Sequence, residues 1–229
     1  MKQELAVFDV DGTLIRGDSF VLYLVFVLLR RPSRWLRAPV LAFGVLLFML
    51  SARDNSWLKA HFVHHVLGGL APGSEQVLTE RFVERLARTR VKPGGFATLR
   101  RHLDAGHLVI LLSAGLDSYL RPLAVRLGVA HLVATRVERN QRGAMTGRLS
   151  GENCRGAEKL RRLGAFLGDA GPIGTRTAYT DHHSDLPLLL AVDVPIAVDP
   201  TRRLLALCAR HGFAVQRWSD GAETSAGSA

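Results

Sequence analysis

Two carboxylates stand two residues apart in Asp9-Val10-Asp11-Gly12-Thr13-Leu14, at the end of a short apolar run over residues 5–10. Such a run reads as a buried strand leading into a turn, so both carboxylates fall at one edge of a sheet. A carboxylate there can attack phosphorus and carry the phosphoryl group as an acyl phosphate. A second one beside it can protonate a leaving oxygen and then activate water. Gly12 permits a tight turn and lets backbone N–H groups, with Thr13 next in line, approach an anion. An Asp-Gly turn alone is common; the full string after an apolar strand is far more restrictive.

Three further groups suit the same chemistry. Ser113 and Ala114 follow an apolar strand over residues 107–113, where a hydroxyl and nearby N–H groups can hydrogen-bond a phosphate oxygen. Lys159 lies near a helix start and can neutralise charge that builds in a transition state. Lysine is scarce in this Arg-dominated chain, with only Lys2, Lys59, Lys92 and Lys159, which makes its placement more telling. Asp181 and Asp185, four apart in Asp181-His182-His183-Ser184-Asp185, can put one carboxylate on a metal ion and the other behind it. Mg²⁺ fits that inventory, since it takes a few carboxylates plus water and phosphate oxygens. His182 and His183 read either as substrate contacts or as exposed loop residues, with the loop reading favoured; adjacent histidines rarely share one zinc ion.

The elements that must hold these groups alternate. After residue 93, helical segments at 96–105, 118–127, 158–167, 186–192 and 202–210 interleave with strands at 107–113, 131–138, 177–180, 195–198 and 213–215. A Gly-rich stretch over 140–156 reads as a hairpin-like excursion. Alternation of this kind implies right-handed βαβ units: an α/β, Rossmann-like, doubly wound and mainly parallel sheet. Ligands gather at the carboxyl ends of its strands, where three of the clusters fall: Asp9 with Asp11, Ser113, and Asp181 with Asp185. Residues 19–88 read as inserted helices, so the chain divides into a core at 1–18 and 89–218, a helical cap at 19–88, and a Gly/Ala/Ser/Thr tail at 219–229 expected to be disordered.

DVDGTL resembles the first signature of the haloacid dehalogenase superfamily, and the Ser113, Lys159 and Asp181/Asp185 clusters are similar to its other three, in the same order. The stretch from Thr146 to Gly156 resembles the phosphoserine-phosphatase-like subgroup. The resemblance implies a Mg²⁺-dependent phosphatase. It makes Asp9 the nucleophile, Asp11 the general acid/base, and Ser113 and Lys159 catalytic, with Gly12, Thr13, Ser113, Ala114 and Lys159 on the phosphate. It implies Asp9, the Asp11 carbonyl and Asp181 as metal ligands and Asp185 as their support. Thr180 departs from the family's usual Gly or Ser. Arg16-Gly17-Asp18 stands where phosphoserine phosphatases carry a Glu for the substrate amine, which makes free phosphoserine the weaker expectation. Asp18 reads equally well as a helix N-cap.

The first half of the insertion is unusually apolar. Residues 20–29 and 39–50 are each too short to span a bilayer, and Arg30, Arg31, Arg34, Arg37 and Trp35 lie between them. They read equally as a buried helix pair or as an interfacial segment on an anionic membrane. The second reading resembles bacterial phosphatidylglycerophosphate phosphatases and implies a lipid phosphate; the alternative is a small phosphorylated metabolite. A net charge of +10 in 229 residues suits anionic partners, yet no nucleic-acid-binding motif accompanies it. A phosphotransferase using the same chemistry, or a non-catalytic anion-binding module, are the competing functions. Cys154 and Cys208 suggest neither a disulfide framework nor a zinc site. The opening residues lack signal-peptide architecture, so the expected location is cytoplasmic, with the inner membrane face as an extension.

Overall fold

The computed structural model describes residues 2–168, 172–219 and 224–225. The first half of the chain forms β1 (Gln3–Phe8), α1 (Ser19–Arg30), a 3₁₀ turn (Pro32–Arg37), α2 (Ala38–Met49), α3 (Asn55–Phe62), a π turn (Val63–Leu67), α4 (Pro72–Thr89) and α5 (Pro93–Asp104). Then come β2 (Leu108–Leu116), α6 (Asp117–Leu127), β3 (His131–Thr135), β4 (Val137–Arg139), β5 (Met145–Leu149) and α7 (Ala157–Leu167). The last elements are β6 (Ile173–Thr180), α8 (Leu186–Leu189), β7 (Val194–Val198), α9 (Arg202–His211), β8 (Ala214–Arg217) and β9 (Thr224–Ser225).

Seven strands form one sheet in the order β3-β2-β1-β6-β7-β8-β9, parallel except for the β8–β9 pair. β1 sits inside it, and its residues alternate between two cores as strand geometry requires. Ala6 and Phe8 join the core that also takes in the inserted helices, while Leu5 and Val7 join the one under α7, α8 and α9. Trp218 is fully buried and packs against Phe8, Tyr179, Gly94 and Gly95. At Gly95 a Cβ would come within 2.9 Å of the Trp218 ring, so the absence of a side chain there lets α5 close on the sheet.

The strand expected over residues 131–138 is broken at Arg136. β3 stays in the parallel sheet beside β2, whereas β4 leaves it to pair antiparallel with β5. The two pairings need different strand directions, and the bond from Ser150 N–H to the Arg136 carbonyl (2.8 Å) marks the break. This hairpin joins the inserted helices: Gly69 N–H donates to the Met145 carbonyl at 2.8 Å, and Arg139 grips Glu75 with both terminal guanidinium nitrogens at 2.6 Å. The expected disordered tail falls largely on residues 220–223 and 226–229, outside those described. Among the described residues, no helix is long and apolar enough to cross a membrane.

Candidate active site

In the parallel register Phe8 lies opposite both Leu111 and Tyr179. Asp9 therefore comes one residue beyond that line, and Ser113 and Asp181 two residues beyond it, at the same sheet edge. β2 runs past Ser113 to Leu116, but its register with β3 shifts between those residues, which takes Ala114 and Gly115 out of the regular ladder. A cavity of about 550 Å³ opens at this edge. Its lining includes Asp9, Asp11, Gly12, Ser113, Ala114, Lys159, Asp181 and Asp185. Thr13 is fully buried and is not part of that lining; its hydroxyl donates to Asp181 Oδ1 at 3.3 Å.

Lys159 is the charge at the centre. Its ammonium donates to Asp9 Oδ1 at 2.7 Å and to Asp185 Oδ2 at 2.6 Å, and the same Asp185 oxygen accepts from the Thr180 hydroxyl at 2.9 Å. Burial would lower the Lys159 ammonium, but the flanking Asp9 and Asp185 carboxylates overcome it and hold it above the usual lysine value. Burial pushes Asp9 up against the pull of Lys159. Burial and the Asp9 charge push Asp181 up to about 7. A Cβ at Gly12 would overlap the Asp181 carboxylate, and Gly12 has φ +76°. Both facts require glycine where the first loop meets the fourth.

Asp11 is anchored differently. Its Oδ1 accepts from Ser19 N–H at 2.7 Å, at the start of α1. Burial, then the nearby Asp18 carboxylate, push Asp11 up to about 7. Ser113 accepts from Gly115 N–H at 3.0 Å, which leaves its hydroxyl hydrogen available to another acceptor. His182 lines the cavity, with Nδ1 accepting from Ser184 N–H at 3.1 Å, and burial lowers its ring. His183 lies tilted against it, at 4.1 Å between ring centroids and 38° between ring planes, and is not part of the lining.

Two lysines belong to this region that sequence reasoning did not assign to it. Lys59 reaches from α3 across the cavity to the Ala114 carbonyl at 2.5 Å and Asn153 Oδ1 at 2.9 Å. Burial pulls it down to about 8, despite Asp11 and Asp18 nearby. Lys92 donates to the Gly12 carbonyl and, at 2.8 Å, to Asp199 Oδ2, so it pins the first loop from behind. Thr135 also holds the Ala114 carbonyl, at 2.8 Å. Lysine scarcity was the available signal: Lys59, Lys92 and Lys159 are all buried at this edge.

Among the described residues no three His, Cys, Asp or Glu side chains gather into an ion cage. Asp9 and Asp181 instead offer a pair of carboxylates lining one cavity, a donor set that suits a cation keeping water and substrate oxygens as its other ligands.

A profile of the haloacid dehalogenase-like hydrolases matches residues 6–190. The chain belongs to that family. Protein CicA of Caulobacter vibrioides is 30% identical over 195 residues, covering 82% of this chain and 83% of that protein. Phosphoserine phosphatase SerB1 of Mycobacterium tuberculosis is 28% identical, covering 92% and 70%. Among solved structures, a Bordetella pertussis protein of unknown function superposes with a TM-score of 0.83 at 26% identity, covering 94% of this chain and 98% of that one. The family assignment accounts for the doubly wound sheet.

Proposed function

We propose that this hydrolase is a Mg²⁺-dependent phosphomonoester phosphatase that works through an aspartyl-phosphate on Asp9. The observation that carries the reading is the shared ammonium of Lys159, which ties Asp9 to Asp185 inside one cavity with Asp11, Ser113 and Asp181. The Asp9 oxygen that Lys159 does not hold attacks phosphorus, and the bond from phosphorus to the alcohol oxygen breaks. Asp11, whose carboxyl burial pushes up to about 7, gives its proton to the departing alkoxide. The resulting carboxylate then takes a proton from water, whose oxygen attacks the phosphoryl group and releases phosphate and free Asp9.

Ser113 donates its hydroxyl to a phosphate oxygen, and Ala114, fixed through its carbonyl by Lys59 and Thr135, presents its N–H group beside it. Gly12 lets the first loop approach the anion. Lys159 balances the negative charge of nucleophile and phosphate. Asp9 and Asp181, with the Asp11 carbonyl, would hold Mg²⁺, and Asp185 supports the arrangement through Lys159. Two buried carboxylates that burial pushes upward fit a site completed by a cation. Mg²⁺ supplies Lewis-acid stabilisation of the phosphoryl oxygens when bound.

The substrate is a lipid phosphate or a small phosphorylated metabolite; SerB1's name keeps phosphoserine in the second class. The helices over residues 19–89 act as the cap that excludes water, with Lys59 bridging cap and core. Phosphate release from p-nitrophenyl phosphate should require Mg²⁺ and stop with EDTA, and Lys159→Met should lower kcat by about 10²–10³. Turnover untouched by EDTA would remove the metal from the account.

A further inference from the structure

Helix α2 is apolar from end to end and carries no charged side chain over Ala38–Met49. Leu41 and Gly44 are its only buried residues; Gly44 seats it on α3, where a Cβ would overlap His61, and Leu41 faces α1. The other face is open: Phe43 is 58% exposed, Leu46 49%, Met49 74% and Leu50 67%. A helix hydrophobic all round is ordinarily buried, and an open apolar face of this extent marks a surface that something covers. Exposed Trp35 and Leu36 extend it through the 3₁₀ turn, and exposed Val21, Val25 and Leu29 extend it along α1.

The face leads towards the catalytic residues. Val21, Val25 and Leu28 line the cavity that holds Asp9. Val25 and Leu28 also form a wall of a second, apolar crevice of about 250 Å³, closed by Leu29, Trp35, Ala38 and Leu41. Charge selects the partner. Arg30, Arg31, Arg34 and Arg37 lie within eight residues, and no Asp or Glu occurs between Asp18 and Asp54. A second copy seated on this face by two-fold symmetry would bring the same arginine cluster against its own kind. An anionic headgroup layer would match it.

We propose that α2 lies in the headgroup layer of an anionic bilayer and that the α1 wall receives the hydrocarbon chain of a phosphomonoester lipid whose phosphate reaches Asp9. The substrate clause rests on the phosphatase reading above. Twelve residues of helix rise about 18 Å, short of the roughly 30 Å of a hydrocarbon core, so α2 lies in the interface plane rather than across it. Arg34 also lines the apolar crevice, with its Nη1 buried and unpartnered among the described residues.

The test uses the full chain with phosphatidylcholine vesicles, with and without phosphatidylglycerol, in a sedimentation assay at low and high salt. The wild type should bind the anionic vesicles and release as salt rises. Phe43→Ser with Leu46→Ser should weaken binding about tenfold or more, and Arg30→Ser about fivefold, while p-nitrophenyl phosphate hydrolysis stays at the wild-type rate. Lysophosphatidate in those vesicles should be cleaved with kcat/KM about tenfold or more above that of glycerol 3-phosphate. Failure of the wild type to bind overturns the docking. So does a concentration-dependent dimer that Phe43→Ser with Leu46→Ser dissolves, which would assign the face to a second copy. Equal kcat/KM for the two phosphates overturns the chain-binding wall while leaving a phosphatase. A wild type inert towards p-nitrophenyl phosphate strikes the phosphatase reading instead, and sedimentation still decides the docking.

Discussion

Asp11 is the residue whose setting says most about the reaction. Its carboxyl is buried, held by Ser19 N–H at 2.7 Å, and pushed up to about 7. A group of that kind can give a proton at neutral pH and take one back. p-Nitrophenolate departs without help, so Asp11→Asn should still transfer the phosphoryl group from that ester but fail to activate water. The expected result is a burst of p-nitrophenol stoichiometric with enzyme, followed by slow turnover; a variant with no burst and no turnover would mean that Asp11 has another task. The carboxylates, Ser113 and Lys159 were legible in the sequence because each sits in a short local string. Lys59 and Lys92 were not, because their partners, Ala114 and Asn153 for one and Gly12 and Asp199 for the other, are far away in the chain. The histidine pair lay between the two: the sequence allowed substrate contact or an exposed loop, and the fold puts only His182 at the cavity.

At the scale of elements, α1 couples cap stability to Asp11. Asp18 caps the helix, with Oδ1 accepting from Val21 N–H at 3.0 Å, and its charge raises Asp11, second only to burial. Asn caps a helix as well as Asp does, whereas Ala costs about 1 kcal/mol. Asp18→Asn should therefore keep the unfolding midpoint while the alkaline limb of the pH–rate profile for an alkyl phosphate moves to lower pH. Asp18→Ala should lose stability as well. An unmoved limb in both variants would separate Asp18 from the acid. Most helix and strand positions were legible because punctuation is local: Gly128 closes α6 in the left-handed region at φ +78°, and Gly212 closes α9 at φ +70°. The break at Arg136 was not, since nothing within residues 131–138 says that β4 will find β5 rather than continue beside β2. The extension of β2 past Ser113 was hidden for the same reason, as the ladder with β3 resumes only at Leu116.

Across the whole molecule, two cores on either face of one sheet hold the four clusters at a single edge. Beneath the sheet, His102 bonds Tyr179 Oη and His107 Nδ1, each at 2.9 Å, and burial pulls its ring down to about 4. A histidine depressed in the folded state favours folding while it stays neutral. Its contribution is full above the unfolded value of about 6.5 and is lost as pH falls towards 4. Thermal midpoints of the wild type should fall between pH 6.5 and 4 more steeply than those of His102→Gln; parallel curves would contradict the assignment. The parallel α/β class was legible from alternation alone, whereas the open face of α2 was not, because an apolar run reads alike whether buried or bare. The central claim is that Asp9 takes the phosphoryl group in a cavity completed by distant segments. Acid-quenched protein, caught during turnover of p-nitrophenyl phosphate and mapped by peptide mass spectrometry, tests it most directly. The account predicts a phosphoryl adduct on Asp9 that appears with Mg²⁺ and is absent with EDTA and in Asp9→Asn; an adduct on another side chain, or undiminished turnover by Asp9→Asn, would contradict it.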